Sequence, residues 1–272
     1  METDVLSKLS KEQLEELVRT YARNMLALDG VWFQSVEREL GMDRADYIMT
    51  KLAPEDMVLA VKRTTGGITY ATEAQPPQGV VVETGRPLDC LKTLLAADRW
   101  TVGHIVCFSD NAFAQARTDC ALVRADGGLW YDAAGQAWLD PTDPEVLRYL
   151  TALCRECGEL GFNEVLLDNF CYPASGDTAA IANDDGDRAQ ILTDMAKTLR
   201  SSLPEGVALS VAYRGSGDLT LAQLADLFDR IYVPAADYDA VASQLGGQFD
   251  AATRLVSMTS QAAETGSYML VQ

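Results

Sequence analysis

The spacing of apolar residues along the chain changes near residue 53. Before that point apolar residues recur three and four positions apart, which is typical of amphipathic helices. The sequence Ser10-Lys11-Glu12-Gln13 fits a capping box, in which the serine and glutamine side chains satisfy backbone groups at a helix start. The pattern therefore predicts a helical N-terminal segment over residues 1–52, which by itself contains no catalytic motif.

From residue 57 onward, short apolar, β-prone runs alternate with helical patterns, as in repeated βα units around a parallel sheet. Seven runs are predicted to be strands: 57–63, 102–109, 162–168, 208–213, 230–234, 254–258 and 267–271. Helices are predicted between most of them, at 87–97, 144–159, 187–201, 221–228 and 238–245. We expect residues 53–272 to form one β/α domain.

The number of strands leaves two architectures open. A (β/α)8 barrel needs eight strands, whereas an open doubly wound sheet accepts seven. The open sheet usually has a glycine-rich phosphate loop after its first strand, and Arg63-Thr64-Thr65-Gly66-Gly67 has neither the dinucleotide spacing nor the P-loop lysine. This segment is better explained as a tight turn before Ile68, so we expect no nucleotide cofactor.

Composition narrows the class of ligand and the compartment. The 22 Lys and Arg residues against 40 Asp and Glu residues give a net charge of −18, which repels nucleic acid and anionic lipid. No apolar stretch is long enough for a membrane span, and the first residues lack the features of a signal peptide. These features and the few cysteines predict a cytoplasmic protein. Cys154 and Cys157 lie in a helical run of a chain with one histidine, so we expect no metal site.

Two strand ends carry aspartates, as expected for reactive groups in a parallel barrel. Asp168 ends the apolar run 162–168, and Asp110 follows the run 102–109. Side chains alternate along a strand, so Glu164 shares a face with Asp168 but lies about 13 Å deeper. Paired carboxylates are what glycoside hydrolysis requires, since one protonates the leaving oxygen and the other attacks or activates water. The alternatives are that Asp168 caps a loop and that Asp110 caps the turn after it.

Several other residues are candidates for substrate binding. The segment 129–139 is predicted to be a hairpin turning at Ala134-Gly135, which places Trp130, Tyr131 and Trp138 above the barrel mouth. Flat aromatic rings suit the C–H face of a sugar, although the same cluster also fits a lid packed on the rim. The weaker candidates stand on or after the predicted strands, and they are Lys62, His104, Tyr172, Tyr213 and Arg214.

Three stretches resemble the glycosyl hydrolase-like TIM-barrel family. Residues 138–141 (Trp-Leu-Asp-Pro), a helix, and residues 161–173 (GFNEVLLDNFCYP) are similar to its pattern W-x-D/N-P, helix, G-F-D-E-I-x-F-D-Y-x-R-F-P. Residues 105–110 resemble its R-I-V-x-F-x-D strand, and residues 61–62 with 67–70 resemble its V-K-x-x-x-G-x-I-x-Y segment. The likeness extends over about residues 57–272, and residues 1–52 look unrelated to it.

The resemblance implies a (β/α)8 TIM-type barrel that lacks its first βα unit and acts on a poly- or oligosaccharide. It departs from the family pattern at Cys171, His104 and Asn163, which replace two arginines and an aspartate. Our first hypothesis is a glycosidase with Asp168 and Asp110 as the two carboxylates. The second is a catalytically inactive carbohydrate-binding barrel whose platform is Trp130, Trp138 and Tyr172. Relatives of this kind are commonly exported.

Overall fold

The computed structural model describes residues 56–77, 80, 82, 88–97, 99–215, 217–247, 249–260 and 267–270. The helical segment predicted over residues 1–52 lies outside them. Seven strands form one sheet: β1 (Asp56–Lys62), β2 (Trp100–Val106), β3 (Glu164–Asp168), β4 (Ala208–Ala212), β5 (Arg230–Pro234), β6 (Leu255–Thr259) and β7 (Tyr268–Leu270). Neighbours pair in parallel and in chain order. This order confirms the predicted α/β fold, a TIM-type barrel lacking one βα unit.

Helices connect most of the strands, as the sequence pattern predicted. They are α1 (Leu88–Leu95), α2 (Asn111–Ala116), α3 (Pro144–Leu160), α4 (Arg188–Ser202), α5 (Leu221–Leu227), α6 (Tyr238–Leu245) and the short α7 (Ala251–Arg254). The longest, α3, begins with Asp143 accepting hydrogen bonds from the next turn and with Pro144 in its first turn. It ends at Gly161, whose left-handed backbone (φ 104°) closes the helix. No helix in the described part of the chain is both long and apolar enough to span a bilayer.

The sheet separates two apolar clusters. Strand residues that point outward, such as Val165 and Leu167, pack against the helices in the main core. Residues of the opposite face form a smaller cluster inside the half-barrel: Val102, Leu166, Ala212, Tyr232, Val256 and Met258. The alternation along β3 therefore divides its side chains between the two clusters as predicted.

Glu164 occupies the inner face at the start of β3, at the other end of the strand from Asp168. Its fully buried carboxylate accepts hydrogen bonds from Trp100 Nε1 (2.8 Å), the Tyr232 hydroxyl (2.9 Å) and Arg230 Nη1 (3.2 Å). These donors compensate a buried charge that would otherwise be strongly unfavourable. Glu164 thus has a structural role at the end of the barrel opposite the carboxyl ends of the strands.

The predicted hairpin after β2 is present. Tyr131 and Ala137 form an antiparallel bridge, and Gly135 (φ 75°) occupies the turn, where its amide donates to the Asp132 carbonyl. A second bridge joins Ser109 to Trp138 and fixes the hairpin beside the end of β2. The hairpin therefore extends from the strand ends where the candidate site lies.

Candidate functional site

An open cavity of about 390 Å³ lies at the carboxyl ends of the strands. Asp168 ends β3 and lines it, with Thr64 from the loop after β1 and Arg214 from the loop after β4. Trp138 of the hairpin forms another part of the wall. In TIM-type barrels the loops at this end carry the active site, so the cavity is the place where chemistry is expected.

The carboxylate of Asp168 accepts four hydrogen bonds. Its Oδ1 accepts from the Asn169 amide at 2.7 Å and from Arg214 Nε at 2.8 Å. Its Oδ2 accepts from Arg214 Nη2 at 2.6 Å and lies 3.1 Å from His104 Nε2. An ionised carboxylate offers about four lone-pair positions and accepts only, so all of them are used and Nε2 carries the proton.

These contacts fix the charge of Asp168. Burial alone raises the pKa of this carboxyl group, but hydrogen bonds from His104 and Arg214 and the Arg214 charge outweigh it. The pKa of Asp168 is therefore held well below its ordinary value. The group is ionised at any physiological pH and has no proton to donate.

Local backbone geometry holds Asp168 in this position. Asn169 adopts a left-handed conformation (φ 47°), which asparagine tolerates better than most residues, and its amide reaches back to Oδ1. The Asp168 carbonyl accepts from the Cys107 amide at 2.8 Å and extends the β2–β3 pairing to the end of the strand. The side chain therefore projects from a rigid strand end.

Asp110, the predicted second carboxylate, has different surroundings. It is fully buried, accepts from the Phe113 amide at 2.9 Å as the N-cap of α2, and lies 2.9 Å from Lys62 Nζ. Lys62 is equally buried and donates to the Val106 and Cys107 carbonyls at 2.5 and 3.3 Å. Both residues are thus fully buried, and neither of them lines the cavity. The capping alternative for Asp110 agrees with this geometry.

The turn after β1 is built around Asp110. Gly66 has a positive φ of 86°, and any β-carbon there would clash with the Asp110 carboxylate. The turn is closed by the Gly66 amide, which donates to the Arg63 carbonyl at 2.9 Å. Gly66 and its neighbour therefore serve the tight turn predicted from the sequence, and the turn presents Thr64 to the cavity.

The structure brings together four of the predicted site residues: Asp168, His104, Trp138 and Arg214. The ring of Trp138 is largely buried and its Nε1 donates to Asp132 at 3.0 Å, and the residue forms part of the cavity wall. Arg214 is the most open of the four, with 44% of its side chain exposed. These residues come from four separate segments of the chain.

The remaining candidates lie elsewhere. Trp130 is buried and donates to the Asp177 carbonyl at 2.7 Å. Tyr172 is buried beneath the Arg188 guanidinium, 4.5 Å from its ring centroid, and Tyr213 packs on the main core. The predicted platform of Trp130, Trp138 and Tyr172 is therefore not assembled at the cavity, where Trp138 alone of the three forms part of the wall.

Sequence reasoning did not select five other residues that line the cavity: Thr64, Asn169, Cys171, Ala174 and Ser175. Four of them follow Asp168 within seven positions, so proximity to a strand end is the signal that could have identified them. No group of three or more His, Cys, Asp or Glu side chains in the described part of the chain is arranged to hold a metal ion.

Comparison with known proteins supplies the family. A family model described as "Putative glycosyl hydrolase domain" matches residues 36–216, more than half of the chain. The match starts inside the segment 1–52 that looked unrelated to the family, and the domain boundary at residue 52 stays a prediction. None of the curated proteins matches the sequence.

Solved structures agree with the fold. A hypothetical protein from Ruminiclostridium thermocellum ATCC 27405 is 23% identical (TM-score 0.51), with 68% of this chain and 95% of that protein covered. An exo-β-N-acetylglucosaminidase from Vibrio harveyi is 12% identical (TM-score 0.50), with 92% of this chain and 39% of that enzyme covered. An α-galactosidase from Thermus thermophilus is 18% identical (TM-score 0.47), with coverages of 80% and 44%. The chain thus spans less than half the length of these two glycosidases.

Proposed function

We propose that this chain, which belongs to the glycosyl hydrolase domain family, hydrolyses O-glycosidic bonds in a poly- or oligosaccharide, with Asp168 as the carboxylate at the reacting carbon. One observation carries the proposal. An aspartate whose pKa is held well below its ordinary value by its hydrogen-bond donors lines an open cavity at the carboxyl end of a barrel strand. A carboxylate so placed serves a reaction whose transition state develops positive charge.

Glycoside cleavage passes through an oxocarbenium-like transition state. A fixed negative charge beside the anomeric carbon stabilises that state more than the neutral substrate, which is what accelerates a reaction. Asp168 meets this requirement because its charge is fixed and its position is held by a strand end. Its depressed pKa excludes the role of general acid, so another group protonates the leaving oxygen.

The coordination of Asp168 favours stabilisation through space over direct attack. Every lone pair of the carboxylate accepts a hydrogen bond in this structure. Nucleophilic attack requires a free lone pair, and Arg214 is the donor best able to release one. Its side chain is 44% exposed, and the loop that follows contains Gly215 and Gly217 with positive φ.

A second function has an observation of its own. Among the described residues that line the cavity, Asp168 is the one carboxylate, and a second is what hydrolysis ordinarily uses. A barrel that binds carbohydrate without cleaving it needs no second carboxylate. In that case Asp168 and Arg214 serve as the polar groups that orient the bound sugar.

Replacing Asp168 with Asn separates the two functions. We expect the full-length chain to release p-nitrophenol from at least one member of a p-nitrophenyl glycoside panel or reducing ends from a soluble polysaccharide. Asp168→Asn should lower that rate by about 100- to 1000-fold, as losing one group that stabilises transition-state charge does. Asp194→Asn, the same change at an exposed site on α4, should have no effect.

Binding distinguishes the outcomes. Calorimetry with the hydrolysed sugar should show that Asp168→Asn still binds it, because Trp138 and Arg214 remain in the cavity. Hydrolysis that is equal in wild type and Asp168→Asn would contradict the proposed role. Binding of the sugars by wild type with no cleavage of any of them would favour the non-catalytic barrel.

A further inference from the structure

We propose that His104 is a positioning residue for Asp168, which acts on a ligand through that carboxylate and does not contact the ligand itself. From sequence alone His104 was a candidate for substrate binding. The kinetic part of the proposal rests on the proposed function, whereas the contact between the two side chains can be tested independently.

The strand register places His104 beneath Asp168. His104 of β2 pairs with Leu166 of β3, and Val106 pairs with Asp168. His104 therefore lies one inward-facing position deeper than the strand end, on the face that also carries Asp168. From there Nε2 reaches Asp168 Oδ2 at 3.1 Å.

His104 and Arg214 approach the carboxylate from different surroundings. The His104 side chain is 21% exposed and is not part of the cavity wall, while Arg214 is 44% exposed and lines it. If Arg214 turns toward a ligand, Asp168 keeps two donors, His104 Nε2 and the Asn169 amide, one on each oxygen. His104 thus keeps the Asp168 carboxylate in the same orientation when Arg214 moves away.

The two side-chain donors therefore have different roles: Arg214 can turn toward a ligand, and His104 keeps the Asp168 carboxylate oriented. A carboxylate that rotated by one rotamer on losing Arg214 would no longer face the reacting carbon, and small misplacements of this kind reduce rates by about 100-fold. The hydrogen bond from the His104 imidazole to Oδ2 prevents that rotation. Its effect on catalysis should therefore appear in kcat and leave KM unchanged.

Nuclear magnetic resonance tests the contact directly, because His104 is the one histidine in the 272-residue sequence. In the uniformly ¹⁵N-labelled full-length chain, the imidazole gives a single pair of nitrogen resonances that needs no assignment. We expect Nε2 to carry the proton, and both resonances to shift in Asp168→Ala. They should stay in place in Asp194→Asn, the distant control. Identical imidazole resonances in wild type and Asp168→Ala would overturn the proposal.

Kinetics test the role. His104→Leu removes the donor at similar size and should lower kcat on the hydrolysed glycoside by about 10- to 100-fold, with KM within about twofold. His104→Gln retains an N–H near Nε2 and should restore most of the rate. A raised KM with unchanged kcat would show contact with the substrate, and a wild-type rate in His104→Leu would show no role. Either result overturns the inference.

The two proposals fail in different ways. If Asp168→Asn hydrolyses as fast as wild type, or wild type hydrolyses nothing, the proposed function fails, and the imidazole resonances still decide whether His104 holds Asp168. If Asp168→Asn is inactive while His104→Leu is fully active, the proposed function stands and the positioning role of His104 fails.

Discussion

Asp110 stands four residues after the end of β2 and Asp168 is the last residue of β3, and a buried lysine contacts the first of them alone. Lys62 lies in β1 and is fully buried, with its ammonium 2.9 Å from Asp110. The same ammonium donates to two carbonyls at the end of β2. Asp110 is thereby held in the interior as a partner of Lys62, whereas Asp168 projects into the cavity.

The buried pair makes a prediction about stability. Lys62→Met leaves the Asp110 charge buried without its partner and should lower the free energy of unfolding by about 3–5 kcal/mol. Adding Asp110→Asn removes that charge and keeps the oxygen that accepts from Phe113, so the double variant should recover more than half of the loss. Urea denaturation followed by circular dichroism measures both. A double variant as unstable as Lys62→Met would refute this account of the pair.

At the scale of elements, helix α3 is joined to the segment after β1 by a buried glutamate. Glu156 accepts hydrogen bonds from the Tyr70 hydroxyl at 2.8 Å, the Thr72 hydroxyl, and the Glu73 amide at 2.5 Å. It stands among apolar residues of the inward-facing side of the helix, where an uncompensated charge would be unfavourable. The carboxylate therefore orders a segment without regular secondary structure against the barrel.

Removing that carboxylate should destabilise the fold. Glu156→Ala leaves the buried Tyr70 hydroxyl without its acceptor and should lower the free energy of unfolding by about 2–3 kcal/mol. Glu159→Ala, on the exposed side of the same helix, should change it by less than about 0.5 kcal/mol. Hydrogen exchange should also accelerate at the amides of residues 68–74 in the first variant alone. Equal stability of the two variants would contradict the role of Glu156.

Features that depend on neighbouring residues in the sequence could be predicted, whereas features that depend on distant contacts could not. Buried parallel strands are near-continuous apolar runs, so all seven were recognisable. Asp168, selected because it ends an apolar run, lines the cavity, and its catalytic role stays a prediction. The burial of Asp110 depends on Lys62, which is distant in sequence, and no local pattern encodes that contact.

Aromatic residues in loops were the other difficulty. Trp130 and Tyr172 have the residue type expected of a sugar platform. The sequence around an aromatic residue in a loop does not show whether its ring faces solvent or the core. Both rings belong to the main apolar core. Their polar contacts are with Asp177 and Arg188, which are distant from them in sequence. The aromatic side chains were expected to pack against the apolar face of a sugar, and in these two cases they pack against the rest of the protein.

At the scale of the whole molecule, the buried cysteine thiols and tyrosine hydroxyls determine how stability varies with pH in alkali. Burial raises the pKa of the Cys107, Cys154 and Cys157 thiols, and raises the pKa of Cys120 to about 12. Burial likewise raises the pKa of the hydroxyls of Tyr70, Tyr149 and Tyr232. These groups stay neutral in the folded chain at a pH where the unfolded chain ionises them. Their contribution is therefore complete below about pH 8.5, the ordinary thiol value, and is lost as pH rises above it.

Stability should accordingly fall steeply in alkali. Each group that ionises in the unfolded chain alone lowers the free energy of unfolding by about 1.4 kcal/mol per pH unit, and several act together above about pH 10. Urea denaturation at intervals from pH 7 to 11 measures the slope. In a variant with Cys154→Ala and Cys157→Ala, two of the groups are gone and the slope should be shallower by about their share, whatever the change in stability at pH 7. A free energy of unfolding that is constant from pH 8 to 11 would mean that the buried thiols and hydroxyls ionise as readily in the folded chain as in the unfolded one.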